Sequence, residues 1–539
     1  MIGTLSVREK VGQLVMPWLT GSYAALESNA FDSLTTWVDS FQVGGIVVSV
    51  GSPMDVAAKL NALQRRSRLP LLIAADLENG PGMRLVGGTS FPAVMAIGAT
   101  GNPLDAYEMG RVTAIEARAV GIQLAFSPVA DVNNNPANPI INTRSFGEDP
   151  VVDATMVSAF IHGAGEHGLF TTAKHFPGHG DTGADSHIDV PVQPACWSRL
   201  DTLELIPFRA TIAAGVAAVM TAHVALPCVN GGSSVPATLS AAVMTGMLRD
   251  SLGFKGLVVT DALDMGAIIR RYGSGESAVM AFLAGSDLLL MPKDIRAALD
   301  AMEVAVNSGR ITRERLDASV RRILDLKARS GLFRSRTVPL DSIPAVVGRK
   351  EAQNLADDIA QRALTLVQAG PVNTMRATRG RTAVITYAEE TSPYFGGTLL
   401  EWLAAGGDTV VTFRLYPSSG PMSYDSARIV MNRAPRVLFA SSVRPIAGRG
   451  TIALPDSLAV LILGTSQRKP TMLASFGSPY LLNQLPDYTG GYLLAWSSAG
   501  ACERAVAKAL TSGVPIQGHL PIRLSPTLPR GFGLMVPAP

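Results

Sequence analysis

The chain has 539 residues, 47% of them hydrophobic and 17% charged, and its 46 basic and 43 acidic side chains leave a net charge of +3. That length exceeds one ordinary core and predicts two domains, while charge scattered without a basic block excludes recognition of nucleic acid or of a membrane surface by charge. The mean hydropathy of +0.24 is high, but the longest apolar stretch, AAGVAAVMTAHVALPCV at 213–229, is broken by Thr221, His223 and Pro227 and falls short of the ~20 apolar residues of a membrane span.

At the N-terminus, MIGTLSVREKVGQLVMPW reads as an amphipathic helix and lacks the basic segment, apolar run and small-residue cleavage site of a secretory signal. The expected compartment is therefore the cytoplasm, or the exterior if a leader has been trimmed away. Short apolar runs follow in chain order: GGIVVSV from 44, PLLIAAD from 70, IQLAFSPVAD from 122, LFTTAKHF from 169, AAVMTAH from 217, GLVVTD from 256 and SDLLLMP from 286. Runs of this length without polar alternation predict strands buried on both faces, and the helical patterns between them predict a parallel sheet. Nearly every run ends in a polar or reactive position: Ser49, Asp76, Asp131, Lys174 with His175, His223, Asp261, and Pro292 after Met291. An open sheet gathers its site at one switch point, whereas a TIM-type (β/α)8 barrel gathers it from many strand ends. The barrel is therefore expected, over residues 1–335.

The stretch RERLDASVRRILDLKARSGLF, 313–333, has helical apolar spacing and closes on Gly331. The irregular residues 336–350 read as a linker. A helix, AQNLADDIAQRALTLVQ, then opens a unit with further βα signals in TAVITYA, TLLEWLAAGGDTVVTFRLY, RVLFASSV, LAVLILGT and GYLLAWS, which predicts a smaller α/β/α sandwich over 351–539. The three cysteines, Cys196, Cys228 and Cys502, match neither a disulfide framework nor a zinc knuckle and read as small buried hydrophobes.

Protonatable groups concentrate in KHFPGHGDTGADSH, 174–187, which holds three of the seven histidines. Pro177, Gly178, Gly180 and Gly183 prevent a regular helix, so the stretch is a loop. Three readings stand side by side. His175, His179, Asp185 and His187 offer metal-ligand types. His179 and others can instead satisfy the backbone of a tight loop. Finally, Asp185 and His187 lie two apart, so an extended segment points them the same way, and a carboxylate on one ring nitrogen makes the other an acid/base near neutral pH. At the end of GLVVTD, Asp261 suits a nucleophile and equally the cap of the next helix.

Together with VVTDALDMGAI, INTRSFGEDP and KVGQLVM, this loop closely resembles the glycoside hydrolase family 3 β-N-acetylglucosaminidases, the NagZ-type enzymes. The resemblance covers the first domain. It implies that Asp261 is the catalytic nucleophile, that His187 is the acid/base with Asp185 as its partner, and that Asp76, Arg84, Asp131, Arg144, Lys174 and His175 bind the sugar. Asn79 departs from the usual Glu-Gly-Gly run but leaves Asp76 and Arg84 in register. The expected activity is a retaining exo-β-N-acetylglucosaminidase acting on peptidoglycan fragments or chitooligosaccharides, with no metal, no organic cofactor and a carbohydrate as its only implied partner. A β-glucosidase or phosphorylase on the same scaffold, and a non-catalytic sugar-binding protein, are the alternatives.

Overall fold

The computed structural model describes residues 2–25 and 28–538. The chain forms two compact units, and the division is not linear. The first comprises residues 1–89, 106–132 and 153–349; the second takes residues 350–539 and also 90–105 and 133–152 from the first part of the chain.

In the first unit eight parallel strands form a closed ring. β1 comes in two pieces, Val15–Met16 and Trp18–Leu19, on either side of Pro17. It is followed by β2 (Gly45–Val48), β3 (Leu72–Ala75), β4 (Leu124–Ala125), β5 (Phe170–Phe176), β6 (Ala218–Thr221), β7 (Leu257–Val259) and β8 (Leu289–Leu290). Each pairs in parallel with the next, from the second piece of β1 through to β7. A Val259–Leu288 bridge joins β7 to β8, and the pairing of Val15 and Met16 with Leu289 and Leu290 closes the ring. The expected barrel is thus present, but its first strand lies in residues that read as helix. The N-terminal helix is only Val7–Gly12, set by a Ser6/Glu9 capping box, and Pro17, which cannot donate to a ladder, splits the strand that follows.

The end of the barrel opposite the strand mouths is pinned by Asp287, just before β8. Its fully buried carboxylate accepts from Arg249 (2.6 Å), Arg322 (3.1 Å), Ser319 (2.5 Å) and the Val258 N–H (3.0 Å), with Arg315 at 3.5 Å. Removing one partner of such a buried network strands the others. Asp287→Ala is expected to destabilise the chain by about 3 kcal/mol, the lower end of that class because the arginines are partly solvated. Urea unfolding of the full chain checks this, and an unchanged midpoint would contradict it.

Residues 336–350, expected as an irregular linker, include a helical turn at Leu340–Ser342 and a short helix, Ile343–Val346. The preceding helix, Arg313–Arg329, ends as expected before Gly331, whose φ of 83° suits only glycine at low cost. The second unit holds a six-stranded sheet of β9 (Thr365–Gln368), β10 (Arg381–Tyr387), β11 (Thr409–Leu415), β12 (Arg436–Ser441), β13 (Thr471–Ser475) and β14 (Gly491–Leu494). The order is β9-β14-β13-β12-β10-β11, parallel except for β9 against β14. LAVLILGT lies in the helix Asp456–Ser466, and the strand beside it is TMLAS. A short apolar run does not by itself separate a buried helix from a strand. No helix among the described residues is long and apolar enough to cross a membrane.

Candidate active site

All eight strands of a parallel ring point their C-terminal ends to one mouth, so groups that follow them converge. Asp76 follows β3, Asp131 follows β4, Lys174 and His175 lie within β5, His223 follows β6 and Asp261 follows β7. Neighbours on a regular strand point to opposite faces. The β5–β6 register shifts between Ala173 and Phe176, and Lys174 and His175 sit at that irregularity, each reaching a different carboxylate.

Lys174 Nζ lies 3.1 Å from Asp76 and 2.7 Å from Glu78, and Arg84 donates to the other oxygen of Asp76 at 2.8 Å. Burial alone would raise the Asp76 carboxyl, but Lys174 and Arg84 outweigh it and hold the group below the ordinary carboxylate range. Glu78, nearly buried, escaped the sequence reading, although an acidic residue two positions beyond Asp76 was a visible signal.

Asp131 was expected to touch the sugar. Its carboxylate is instead closed off, accepting from the His175 N–H (3.2 Å), the His179 N–H (2.7 Å) and the His175 ring at Nδ1 (2.7 Å), with no exposed side-chain surface. His179 takes the role of loop support: its ring nitrogens meet Thr182 Oγ1 at 2.7 Å and Ser186 Oγ at 3.1 Å, and burial, with His175 nearby, pushes its pKa down to about 4.

Asp185 and His187 meet, but not as neighbours on an extended segment. Residues 186–188 form a turn closed by the Ile188 N–H on Asp185 O at 2.9 Å. Asp185 Oδ1 accepts from both the backbone N–H and the ring Nδ1 of His187 at 2.8 Å. Asp side chains favour this local turn geometry. It fixes the tautomer with hydrogen on Nδ1 and leaves Nε2 as the nitrogen that faces other chemistry. The carboxylate is fully buried, whereas the imidazole is 35% exposed.

Asp261 Oδ1 accepts from the Ala262 N–H at 2.8 Å. Burial opposes its charge, but His223, His175, this N–H and His187 together hold the carboxyl below its ordinary range. His223 follows β6 and was noted only as a strand end. Its Nε2 donates to Ala262 O at 2.9 Å and its Nδ1 meets Thr238 Oγ1 at 2.7 Å, so it braces the backbone beside Asp261. Asp264 shows the opposite behaviour, since partial burial and the charge of Asp261 raise its carboxyl. Arg144 belongs to the second unit, on the helical turn Asn142–Arg144, where Nη1 donates to Ile140 O at 2.9 Å.

The cysteine reading requires correction. Cys196 and Cys228 are joined in a disulfide, and only Cys502 is the buried free thiol expected of all three. A sequence separation of 32 carries no pairing signal. The pair meets because the loops after β5 and β6 run side by side, bridged in parallel at Val192 and Ala225.

Residues 6–326 match the glycosyl hydrolase family 3 N-terminal domain. The chain is similar to a β-N-acetylglucosaminidase/β-glucosidase of Cellulomonas fimi, 30% identical over 501 residues and covering 89% of this chain and 88% of that one. Among solved structures it is similar to a family 3 β-N-acetylglucosaminidase from Paenibacillus sp. str. FPU-7, with TM-score 0.88, 35% identity and coverage of 97% and 99%. It is also similar to the β-glucoside phosphorylase BglX bound to 2FGlc, with TM-score 0.86, 26% identity and coverage of 97% and 95%. With a barrel mouth carrying an ionised aspartate and an aspartate-held histidine, and with this extent of likeness, the chain belongs to glycoside hydrolase family 3.

Proposed function

We propose that the protein is a retaining exo-β-N-acetylglucosaminidase that releases terminal β-linked N-acetylglucosamine. The observation that carries this reading is the pairing, at one barrel mouth, of a carboxyl held ionised at Asp261 with an imidazole oriented by Asp185. In the first step a carboxylate oxygen of Asp261 attacks the anomeric carbon and the glycosidic bond breaks. The leaving oxygen takes the Nε2 proton of His187 in its imidazolium form, which is left neutral with its remaining hydrogen on Nδ1 toward Asp185. In the second step His187 Nε2 accepts a proton from water, whose oxygen displaces Asp261 from the same carbon, so that two inversions give net retention. Asp261 and Asp264 divide as environments divide acids from nucleophiles, one lowered and one raised, which favours Asp261 as the attacking group.

The Asp76, Arg84 and Lys174 cluster supplies the ionised acceptor and cationic donors that sugar hydroxyls require, and Glu78 and Asp131 position Lys174 and His175 within it. Peptidoglycan fragments and chitooligosaccharides are the proposed substrates. The Cys196–Cys228 bond favours an oxidising compartment, the exported alternative.

A phosphorylase reading has its own support in the likeness to BglX and in an imidazole acid/base. A neutral group beside the glycosyl ester repels an incoming anion less than a second carboxylate would. Aryl β-N-acetylglucosaminide and aryl β-glucoside, each assayed with and without phosphate, separate these possibilities. The expected result is hydrolysis of the first at least about tenfold faster than the second, a preference of ~1.4 kcal/mol, without dependence on phosphate. A glucoside preference, or a glycosyl phosphate product, would overturn the proposal.

A further inference from the structure

Asp261, Asp76 and Lys174 are set by barrel strands, whereas His187 rides on a loop whose anchors are visible. Upstream, the His179 N–H is held by Asp131 at 2.7 Å. At His187 itself the carbonyl accepts from the Gly266 N–H at 3.3 Å. Downstream, Ala225 N–H donates to Pro191 O at 2.8 Å and Gln193 N–H to Ala225 O at 2.9 Å, beside the Val192–Ala225 bridge. The segment then reaches Cys196, which is bonded to Cys228. The loop so captured is the one that leaves β6 through His223, the residue that braces the backbone at Asp261. The covalent bond therefore links the acid/base segment to the wall of the nucleophile, in parallel with these backbone contacts and with side-chain contacts from Arg271 to Asp189 at 3.0 Å and from Gln193 to Glu204 at 3.3 Å.

We infer that the Cys196–Cys228 bond is a positioning device for His187, and that its oxidation state sets how well the enzyme protonates a leaving group. This rests on His187 being the acid/base. Opening the bond leaves the junction of the two loops to two backbone hydrogen bonds on a segment where Val192 is 53% exposed, and the Arg271–Asp189 contact nearer His187 is itself exposed to solvent. A proton donor displaced by a fraction of an ångström loses rate steeply, whereas attack by Asp261 on a substrate that needs no proton does not.

The test compares kcat/KM, which reports formation of the glycosyl ester, on chitobiose and on 2,4-dinitrophenyl β-N-acetylglucosaminide. The samples are the oxidised protein, the same protein reduced and then reoxidised, and the double variant Cys196→Ser with Cys228→Ser. His187→Ala is measured alongside. The expected result is one free thiol in the oxidised protein after denaturation, a loss of about tenfold on chitobiose when the bond is open, less than about twofold change on the dinitrophenyl substrate, and recovery on reoxidation. Should the double variant not fold, the reduced protein carries the comparison. Equal changes on both substrates, no change on either, or three thiols in the oxidised protein would overturn the inference. If His187→Ala discriminates between the substrates while the opened bond does not, the inference fails and the acid/base assignment stands; if His187→Ala affects both equally, both fail.

Discussion

Asp261→Asn is expected to lower kcat/KM on every β-N-acetylglucosaminide by at least about 10^4-fold, the scale of losing a nucleophile, and to abolish covalent trapping of a sugar. The substitution keeps size and shape, so the fold should be unchanged. The neutral amide has no anionic oxygen to offer the anomeric carbon, whatever the leaving group. Mass spectrometry after incubation with a slow fluorinated substrate decides the matter, since a variant that still gains a sugar mass would clear Asp261 of the role. The pH dependence has a defined sign. Because the carboxyl is held below its ordinary range, its active, ionised form persists into acid. Its contribution to the activity profile is lost only as pH falls through that lowered value, below pH ~3.9.

His187→Ala should behave differently, and the contrast carries the assignment. On chitobiose, whose leaving group needs a proton, kcat/KM is expected to fall by about 10^2- to 10^4-fold. On a dinitrophenyl glycoside it should barely change, because the leaving phenolate needs none. Turnover on that substrate should then be limited by hydrolysis of the glycosyl ester, for which His187 is the base. Azide is already anionic and should restore turnover, giving a glycosyl azide of retained configuration. Equal losses on both substrates, or no azide product, would remove His187 from the acid/base role.

Much of the barrel was legible because its strands are buried on both faces and so appear as unbroken apolar runs, each ending where a functional group begins. β1 was not, because a proline inside a short strand and an adjoining capped helix give the same local pattern as one longer helix. Asp185 and His187 were legible as a pair from spacing alone, yet the reason for their contact was misread, because an Asx turn and an extended strand bring positions two apart together equally well. Asp131 was visible as a strand-end carboxylate, but whether such a group faces substrate or a neighbouring imidazole depends on a contact with residues 44 and 48 positions away. The Cys196–Cys228 pairing was beyond sequence reasoning, since it follows from the side-by-side path of two loops.

The interleaving of the second unit has a consequence for how the chain is made. Met95, Ala96 and Ala99, on the helix Val94–Thr100, belong to the same apolar core as Ala363, Leu520 and Ile522. A ribosome emits that helix long before those partners, so its greasy face must wait for several hundred residues of synthesis. Cutting the chain at residue 350 would orphan the early helix in one fragment and leave the sheet in the other without part of its interior. This is a high-contact-order assembly of the kind that matures slowly and late.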